Sequence, residues 1–189
     1  MLEPVVPRYT AIGKATGVKL TISNGPSPPE AHTNRLHPKE ESMGSKAVMY
    51  GRDLLIEGVD CKDIQIGNKA ILLNWGVITI TERNQAGDKF ELVATVDEAE
   101  SVKGIKAKWH WLCNDPATTT EIKMCEFDHL ITKEKIEETD ECEQIFNRNS
   151  RFEEIGIAEG IVKDLPKGSH FQFLRRGFYY VDQLAVGGK

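Results

Sequence analysis

Residues 69–83 read Lys-Ala-Ile-Leu-Leu-Asn-Trp-Gly-Val-Ile-Thr-Ile-Thr-Glu-Arg, a stretch rich in β-branched side chains with partly alternating polarity. This pattern is typical of a β-strand with one buried face. The polar segment 84–89, which contains a glycine, follows, and then the apolar run 90–96. The order strand, turn, strand predicts a hairpin. The segment 106–112 alternates lysines with apolar or aromatic residues, which predicts another strand with one solvated face.

Similar short runs predict strands along most of the chain. They are 9–12, 18–22, 47–50, 53–57, 121–127 and 155–162, with a last hairpin formed by 169–174 and 177–182. The segment 24–30 is expected to be a loop, because its three prolines cannot join a strand ladder. One helix is predicted at 137–147, where acidic residues suit the positive end of the helix dipole. Because roughly ten to twelve strands are too many for one small barrel, two barrels fit this mainly-β chain better.

The composition argues against several functional classes. The 189 residues carry a net charge of −5, which weighs against a nucleic-acid binder held by bulk positive charge. That charge is local, since residues 121–150 hold four basic and nine acidic side chains whereas residues 1–60 hold seven of each. No apolar run approaches the ~20 residues of a membrane-spanning helix. The four cysteines and five histidines lack the paired spacing of a zinc site, so no metal is expected.

Catalytic motifs are incomplete in this sequence. The segment 13–19 resembles a phosphate-binding loop, but Val18 separates Gly17 from Lys19 and Leu20 stands where a hydroxyl side chain is needed. No Gly-x-Ser-x-Gly elbow occurs. The carboxylates crowd the predicted helix, where a solvated face is a better interpretation than acid/base catalysis. No catalytic residue is predicted.

Several stretches match one family in order along nearly the whole chain. They are Val6-Pro-Arg-Tyr-Thr-Ala11, Leu36-His-Pro-Lys39 with Gly44-Ser-Lys46, Ile56-Glu-Gly58, Leu73-Asn-Trp-Gly76, Lys108-Trp-His-Trp-Leu112, Phe127-Asp-His-Leu-Ile-Thr-Lys133, and Leu174-Arg-Arg-Gly-Phe178 ending in Val181-Asp182. This ordered set resembles the C-terminal anticodon-binding region of glutamyl-tRNA synthetases of the eukaryotic cytosolic and archaeal type. The same region of glutaminyl-tRNA synthetases is the nearest alternative, but 74–76 and 129–132 resemble the glutamyl type more closely.

The resemblance implies a domain organisation and a biological role. A discontinuous proximal barrel would comprise 1–57 and 120–189, and a distal barrel 58–119, with one or two short helices in the chain. The catalytic domain is absent, so the chain is expected to be a non-catalytic fragment of a cytoplasmic glutamate–tRNA ligase. ATP and Mg²⁺ would serve the full-length enzyme, and this fragment would need no cofactor. The implied partner is the anticodon stem-loop of tRNA(Glu), not DNA or a membrane, with protein partners of the full-length synthetase left open.

The resemblance also implies a site for the middle anticodon base. A splayed uracil needs donors for its carbonyls and an acceptor for its N3–H, which arginine and glutamine side chains supply. Alignment with the glutaminyl relative gives these roles to Arg8, Gln172 and Arg175. By its position in the first hairpin, Arg83 is the candidate for the first base.

The remaining candidates concern the third base and the phosphates. In the glutaminyl relative an arginine reads a guanine at the third position; Leu73 occupies its place here, so the reader of the cytosine in tRNA(Glu) stays unassigned. Candidates for contacts with the tRNA backbone are Arg35, Lys39 and Lys46, which lie in segments expected to be loops, and Arg176. Alternatives that stay open are the glutaminyl equivalent and a stand-alone RNA- or protein-binding barrel, because fold alone does not fix function.

Overall fold

The computed structural model describes residues 6–87 and 89–184, and these ranges are mainly β. The strands are β1 (Arg8–Tyr9), β2 (Ala11–Gly13), β3 (Gly17–Ile22), β4 (Glu30–Arg35), β5 (Ser45–Tyr50), β6 (Asp53–Glu57), β7 (Lys69–Leu72), β8 (Gly76–Ala86), β9 (Lys89–Asp97), β10 (Lys108–Trp109), β11 (Trp111–Cys113), β12 (Thr119–Phe127), β13 (Arg151–Glu159), β14 (His170–Phe173) and β15 (Gly177–Tyr180). Short helices are α1 (Gly58–Cys61) and α2 (Cys142–Ile145), with 3-10 turns at Glu41–Met43 and Gly160–Asp164. The prediction of a mainly-β fold with short helices is confirmed.

The largest sheet has seven strands in the order β10-β7-β8-β9-β3-β6-β11. Its two edge strands, β10 and β11, are separated along the chain by His110 alone. The edges therefore lie close together, and the sheet is nearly barrel-shaped. Alternate residues of its strands point inward, as the period of two predicts. Together with Trp75 from the turn between β7 and β8, they form a core that contains Leu20, Ile22, Leu54, Ile56, Leu72, Ile78, Ile80, Leu92, Trp109 and Trp111.

A second, smaller core is aromatic. It lies among two three-stranded sheets, with the orders β1-β14-β15 and β12-β13-β2. Tyr9, Phe171 and Phe173 are buried in it with Met124 and Ala158. The rings of Phe171 and Phe173 meet edge to face, with centroids 4.9 Å apart, a favourable geometry for aromatic pairs. Strand β1 is thereby anchored to the final hairpin, β14–β15.

Strand pairing crosses the domain boundaries implied by the resemblance. Strand β3 precedes residue 58 but pairs in parallel with β9, where Leu20 is opposite Leu92. Strand β6 pairs with both β3 and β11. Segments assigned to the proximal and distal barrels thus share one hydrogen-bonded sheet, and the division into 1–57 with 120–189 and 58–119 stays a prediction.

Two local predictions need correction. The stretch 69–83 is not one strand, because a turn at residues 73–75 separates β7 from β8; Asn74 there has φ of 65°, a conformation that asparagine tolerates. The predicted helix 137–147 is wrong outside α2. The carboxylate of Asp140 accepts hydrogen bonds from the Glu137 backbone N–H (2.7 Å) and from Lys133 Nζ (2.7 Å). Such side-chain bonds form a local turn in competition with a helix.

Strand β4 was missed because its side chains carry no burial signal. Five of its six residues are exposed, and it pairs with β5 along its whole length. It starts at Glu30, the last residue of the predicted loop.

Within the described residues, no helix is long and apolar enough to cross a membrane.

Candidate nucleic-acid interface

The fold brings Arg8 and Gln172 side by side. Strand β1 runs parallel to β14, and the register places Arg8 opposite Gln172. Backbone hydrogen bonds fix this register, because Gln172 N donates to Pro7 O at 2.9 Å and Leu174 N donates to Tyr9 O at 3.0 Å. Opposite residues of paired strands project from the same face of a sheet. Two of the three residues predicted to bind the middle base are therefore neighbours in space.

Each of these two side chains keeps a polar atom without a partner. Arg8 Nε and Gln172 Oε1 are both buried, and neither has a hydrogen-bond partner among the described residues. Buried polar atoms are nearly always paired in native proteins. Here a donor and an acceptor without partners belong to residues that lie opposite each other on paired strands, and both residues remain partly exposed to solvent. This arrangement suits a ligand edge that offers an acceptor beside a donor.

Lys46 holds the strand that carries Arg8. Its ammonium donates to the Arg8 carbonyl oxygen at 2.8 Å and to Glu159 Oε1 at 2.6 Å, and the same Glu159 oxygen accepts from Thr10 N at 2.7 Å. Burial lowers the pKa of the Lys46 ammonium, and the charge and hydrogen bond of Glu159 oppose that shift. The ammonium is thus used inside the protein, and the predicted contact of Lys46 with the tRNA backbone stays a prediction.

Of the three phosphate candidates expected in loops, Arg35 and Lys46 lie in strands instead. Lys46 lies within β5 and Arg35 ends β4, because these two strands form a hairpin with Asn34 opposite Lys46. Arg35 is exposed and pairs with Glu41 at 2.5 Å. Lys39 lies outside regular structure, is exposed, and donates its backbone N–H to His37 Nδ1 at 3.2 Å. Backbone contacts of tRNA with Arg35 and Lys39 stay predictions.

Arg175 occupies the turn of the β14–β15 hairpin, where its φ of 63° lies in the left-handed region. Its Nη1 donates to Oδ2 of Asp60, and the side chain is 51% exposed, against 9% for Asp60. Arg175 is thus three residues from Gln172 along the chain, but its guanidinium is paired with a carboxylate of α1. Of the three residues predicted to bind the middle base, Arg8 and Gln172 are therefore adjacent, whereas Arg175 bonds to Asp60.

Arg176 connects the final hairpin to two other strands. Its guanidinium donates to Glu57 Oε1 at 2.6 Å and to Glu154 Oε2 at 2.7 Å, so it bridges β6 and β13. Burial alone would lower the pKa of this guanidinium, but hydrogen bonds to Glu154 and Glu57 and their charges raise it above its ordinary value. The side chain thus holds β6 and β13 to the final hairpin. To bind a tRNA phosphate, Arg176 would have to break its ion pairs with Glu57 and Glu154.

Arg83 is engaged near helix α1. It donates to the backbone oxygens of Ile64 (2.5 Å) and Lys62 (2.9 Å), and its guanidinium lies 4.3 Å from the centre of the Phe90 ring. These contacts stabilise the loop that follows α1. Its predicted role at the first base stays a prediction.

Sequence reasoning missed an exposed aromatic pair on β15. Phe178 is 43% exposed and lies opposite Gln172, and Tyr180 is 52% exposed and lies opposite His170. The rings of Tyr180 and His170 are 5.2 Å apart. Tyr179, between them, packs against the aromatic core. Aromatic faces beside an open hydrogen-bonding pair are suited to stacking with unpaired bases.

A cavity of about 500 Å³ opens next to Arg175. It is lined by Asp60, Leu73, Lys106, Ala107, Lys108, Trp109, His110 and Arg175. Burial, and then the positive charge of Arg175, lower the pKa of His110 to about 4. The imidazole is therefore neutral at pH 7. In the described part of the chain, no group of three or more His, Cys, Asp or Glu side chains could hold a metal ion.

Comparison with known proteins agrees with a binding role. Two models of the family described as "tRNA synthetases class I (E and Q), anti-codon binding domain" match residues 6–97 and 108–182. These matches give the class of the chain as the anticodon-binding part of class I aminoacyl-tRNA synthetases. More narrowly, the chain belongs to the anticodon-binding domain family of the synthetases for glutamate and glutamine.

Curated relatives match the chain along its whole length. A probable cytoplasmic glutamate–tRNA ligase of Dictyostelium discoideum is 39% identical, with all of this chain and 25% of the relative covered. The cytoplasmic glutamate–tRNA ligase of Saccharomyces cerevisiae is 32% identical, with all of this chain and 26% of the relative covered. A bifunctional glutamate/proline–tRNA ligase of Mus musculus is 31% identical over 97% of this chain and 12% of the relative. The chain spans about a quarter of the length of the first two relatives.

Proposed function

We propose that this chain is the anticodon-recognition module of a cytoplasmic glutamate–tRNA ligase. Its partner is the anticodon stem-loop of tRNA(Glu), and Arg8, Gln172 and Arg175 bind the middle base, a uracil. The observation that supports this proposal is that Arg8 and Gln172 lie opposite each other on paired strands, each with a buried polar atom that has no hydrogen-bond partner among the described residues. Attachment of glutamate, with ATP and Mg²⁺, belongs to the catalytic domain of the complete enzyme.

The chemistry of these side chains selects uracil. Its Watson–Crick edge offers a carbonyl oxygen on each side of an N3–H group. Gln172 Oε1 can accept from N3–H, and Arg8 Nε can donate to one carbonyl. An arginine has no acceptor, so a cytosine that turned its amino group toward Arg8 would leave two donors facing each other. Unpaired buried donors are costly, which gives discrimination between the two pyrimidines.

The surroundings support binding of an unpaired base at this place. Phe178, exposed opposite Gln172, offers a ring on which a base can stack. The buried Lys46–Glu159 pair holds the Arg8 carbonyl, so the arginine is presented from a fixed strand. Such preorganisation lowers the entropy cost of binding.

The test measures binding of the full chain to anticodon stem-loops with uracil or cytosine at the middle position. Arg8→Ala and Gln172→Ala are each expected to weaken binding of the uracil form by roughly 5- to 150-fold, taking base-edge contacts as a guide, and to reduce its preference over cytosine. Arg52→Ala is the matched control, since Arg52 is an exposed arginine on the turn between β5 and β6. If both variants kept the affinity and base preference of the parent chain, the proposal would be overturned.

A further inference from the structure

We propose that a second cavity, beside the stacked rings of His32 and Tyr50, binds an alkylammonium group, either from a lysine side chain of a partner protein or from a free polyamine. This cavity has a volume of about 360 Å³, within the range of small-molecule pockets. None of the residues predicted to contact tRNA lines it. The inference therefore goes beyond the proposed function and does not depend on it.

Aromatic rings form one wall of this cavity. The rings of His32 and Tyr50 are stacked, with centroids 4.0 Å apart and an angle of 19° between their planes. The ring of Trp75 lies 4.8 Å from that of Tyr50 and also lines the cavity. The first two rings come from the β4–β5 hairpin and the third from the turn between β7 and β8. Aromatic rings attract cations, and tryptophan does so most strongly.

Two carboxylates face the same cavity. Glu98, just after β9, accepts a hydrogen bond on Oε1 from Trp75 Nε1 at 3.1 Å. Burial raises the pKa of Tyr50, and the negative charge of Glu98 raises it as well, so this carboxylate lies near the aromatic wall. Glu30 lies opposite Tyr50 in the strand register and also lines the cavity. Negative charge and aromatic surface are thus combined in one place.

The lining of the cavity is held in place before any ligand enters. The Asn24 amide donates to Val96 O at 2.8 Å, and its Oδ1 accepts from Val96 N at 2.9 Å. The Tyr50 hydroxyl donates to Asn74 O at 2.5 Å. Such preorganisation lowers the entropy cost of binding. Val96 and Pro26 add apolar surface to the lining, along which the methylene stem of an alkylammonium group can pack.

The chemistry of the lining favours an ammonium ion over other ligands. An ammonium has three donors and no acceptor, so it can bond to two carboxylates from different elements at once. A guanidinium binds best to both oxygens of one carboxylate, and Trp75 already occupies Oε1 of Glu98. Glu98 Oε2 accepts no hydrogen bond in the part of the chain that the structure describes. A phosphate would be repelled by both carboxylates, which separates this site from the tRNA-binding face.

The experiment titrates the full chain with N-acetyl-lysine methylamide and follows the NMR signal of the Trp75 indole N–H, which lies at the cavity. N-acetyl-norleucine methylamide, which has the same stem without the ammonium, is expected to bind about tenfold more weakly or less well still. Spermidine in a parallel titration distinguishes the two sources. Tighter binding of spermidine would favour a polyamine, and tighter binding of the lysine analogue would favour a protein side chain.

Variants test the two carboxylates. Glu98→Gln keeps an oxygen that can accept from Trp75, and it should weaken binding of the lysine analogue roughly tenfold. Glu30→Gln should weaken it in the same direction. The matched control is Glu91→Gln, at an exposed glutamate of β9 outside the cavity, which should bind like the parent chain. Affinity for the anticodon stem-loop should not fall in any of the three variants.

Two results would overturn the inference. One is equal binding of the lysine and norleucine analogues, or no response of the Trp75 signal to either the lysine analogue or spermidine. The other is unchanged affinity for the lysine analogue in both Glu98→Gln and Glu30→Gln. Neither result bears on the proposed function, because the stem-loop measurements test that separately.

Discussion

At the scale of single residues, the decisive contacts join positions that are distant in sequence. Lys46 and Glu159 are both buried, and their ion pair also engages the backbone of Arg8 and Thr10. Removing two charges from water is costly, and the cost is recovered only when each partner is well satisfied. Here the Lys46 ammonium and Glu159 Oε1 bind each other and the backbone of Arg8 and Thr10, whereas Glu159 Oε2 is buried without a hydrogen-bond partner among the described residues. The pair fixes β1 and presents Arg8. In the structure Lys46 positions β1, and its predicted contact with the tRNA backbone stays a prediction.

Lys46→Met is expected to destabilise the chain by about 3–5 kcal/mol, because Glu159 would be left as a buried charge without its partner. The double variant Lys46→Met with Glu159→Leu should recover part of this loss. The free energy of unfolding in urea measures both. Lys163→Met, at an exposed lysine, is the control and should change stability by less than about 0.5 kcal/mol. A loss below about 1 kcal/mol for Lys46→Met would contradict the interpretation of a desolvated pair.

At the scale of elements, the β14–β15 hairpin has one core face and one binding face. Phe171, Phe173 and Tyr179 pack inward, while Phe178 and Tyr180 project outward. The alternation of period two separates these roles within a single strand. Arg176 clamps the hairpin to β6 and β13, so its binding face keeps a fixed direction.

Phe178→Ala is expected to weaken stem-loop binding by about 1–3 kcal/mol, the range observed when stacking side chains are truncated. The free energy of unfolding of this variant should change little, because the Phe178 ring is substantially exposed. Phe152→Ala is the matched control, since Phe152 is an exposed aromatic residue on β13. Binding titrations and thermal unfolding separate the two effects. Equal losses of affinity in both variants would argue against a specific stacking role.

The strands could be predicted well because their side chains alternate in burial, and failures occur where that signal is absent. Strand β4 carries polar, exposed residues and depends on backbone pairing with β5. The helix 137–147 was over-extended because the carboxylate of Asp140 bonds locally, which composition does not reveal.

In the site, the resemblance located Arg8 and Gln172, which pair in the fold. The partners of Arg175 and Arg176 are carboxylates far along the chain, so their internal pairing could not be foreseen.

At the scale of the whole molecule, the seven-stranded sheet nearly closes on itself, and a single residue links its two edge strands along the chain. His110 alone separates β10 from β11, the two edges of that sheet, and it is buried there. Burial and the nearby Arg175 lower its pKa to about 4. A proton on this imidazole would place a positive charge next to a guanidinium where the two edges of the sheet meet. Protonation of one side chain is thus coupled to the stability of the largest sheet.

The sign of the pH dependence follows from the two pKa values of His110. In the unfolded chain its pKa is near the ordinary value of 6.5, so below that pH the unfolded state binds a proton that the folded state does not. The free energy of unfolding should therefore fall as pH decreases from about 6.5 toward 4, by on the order of 2 kcal/mol from this group. His110→Asn should lack the part of the pH dependence that comes from this imidazole. The difference in the free energy of unfolding between the parent chain and His110→Asn should therefore become smaller as the pH falls. His129→Asn, at an exposed histidine, is the control. Urea unfolding at pH 7.5 and pH 5 measures the effect, and parallel losses in the parent chain and His110→Asn would show that the imidazole titrates alike in both states.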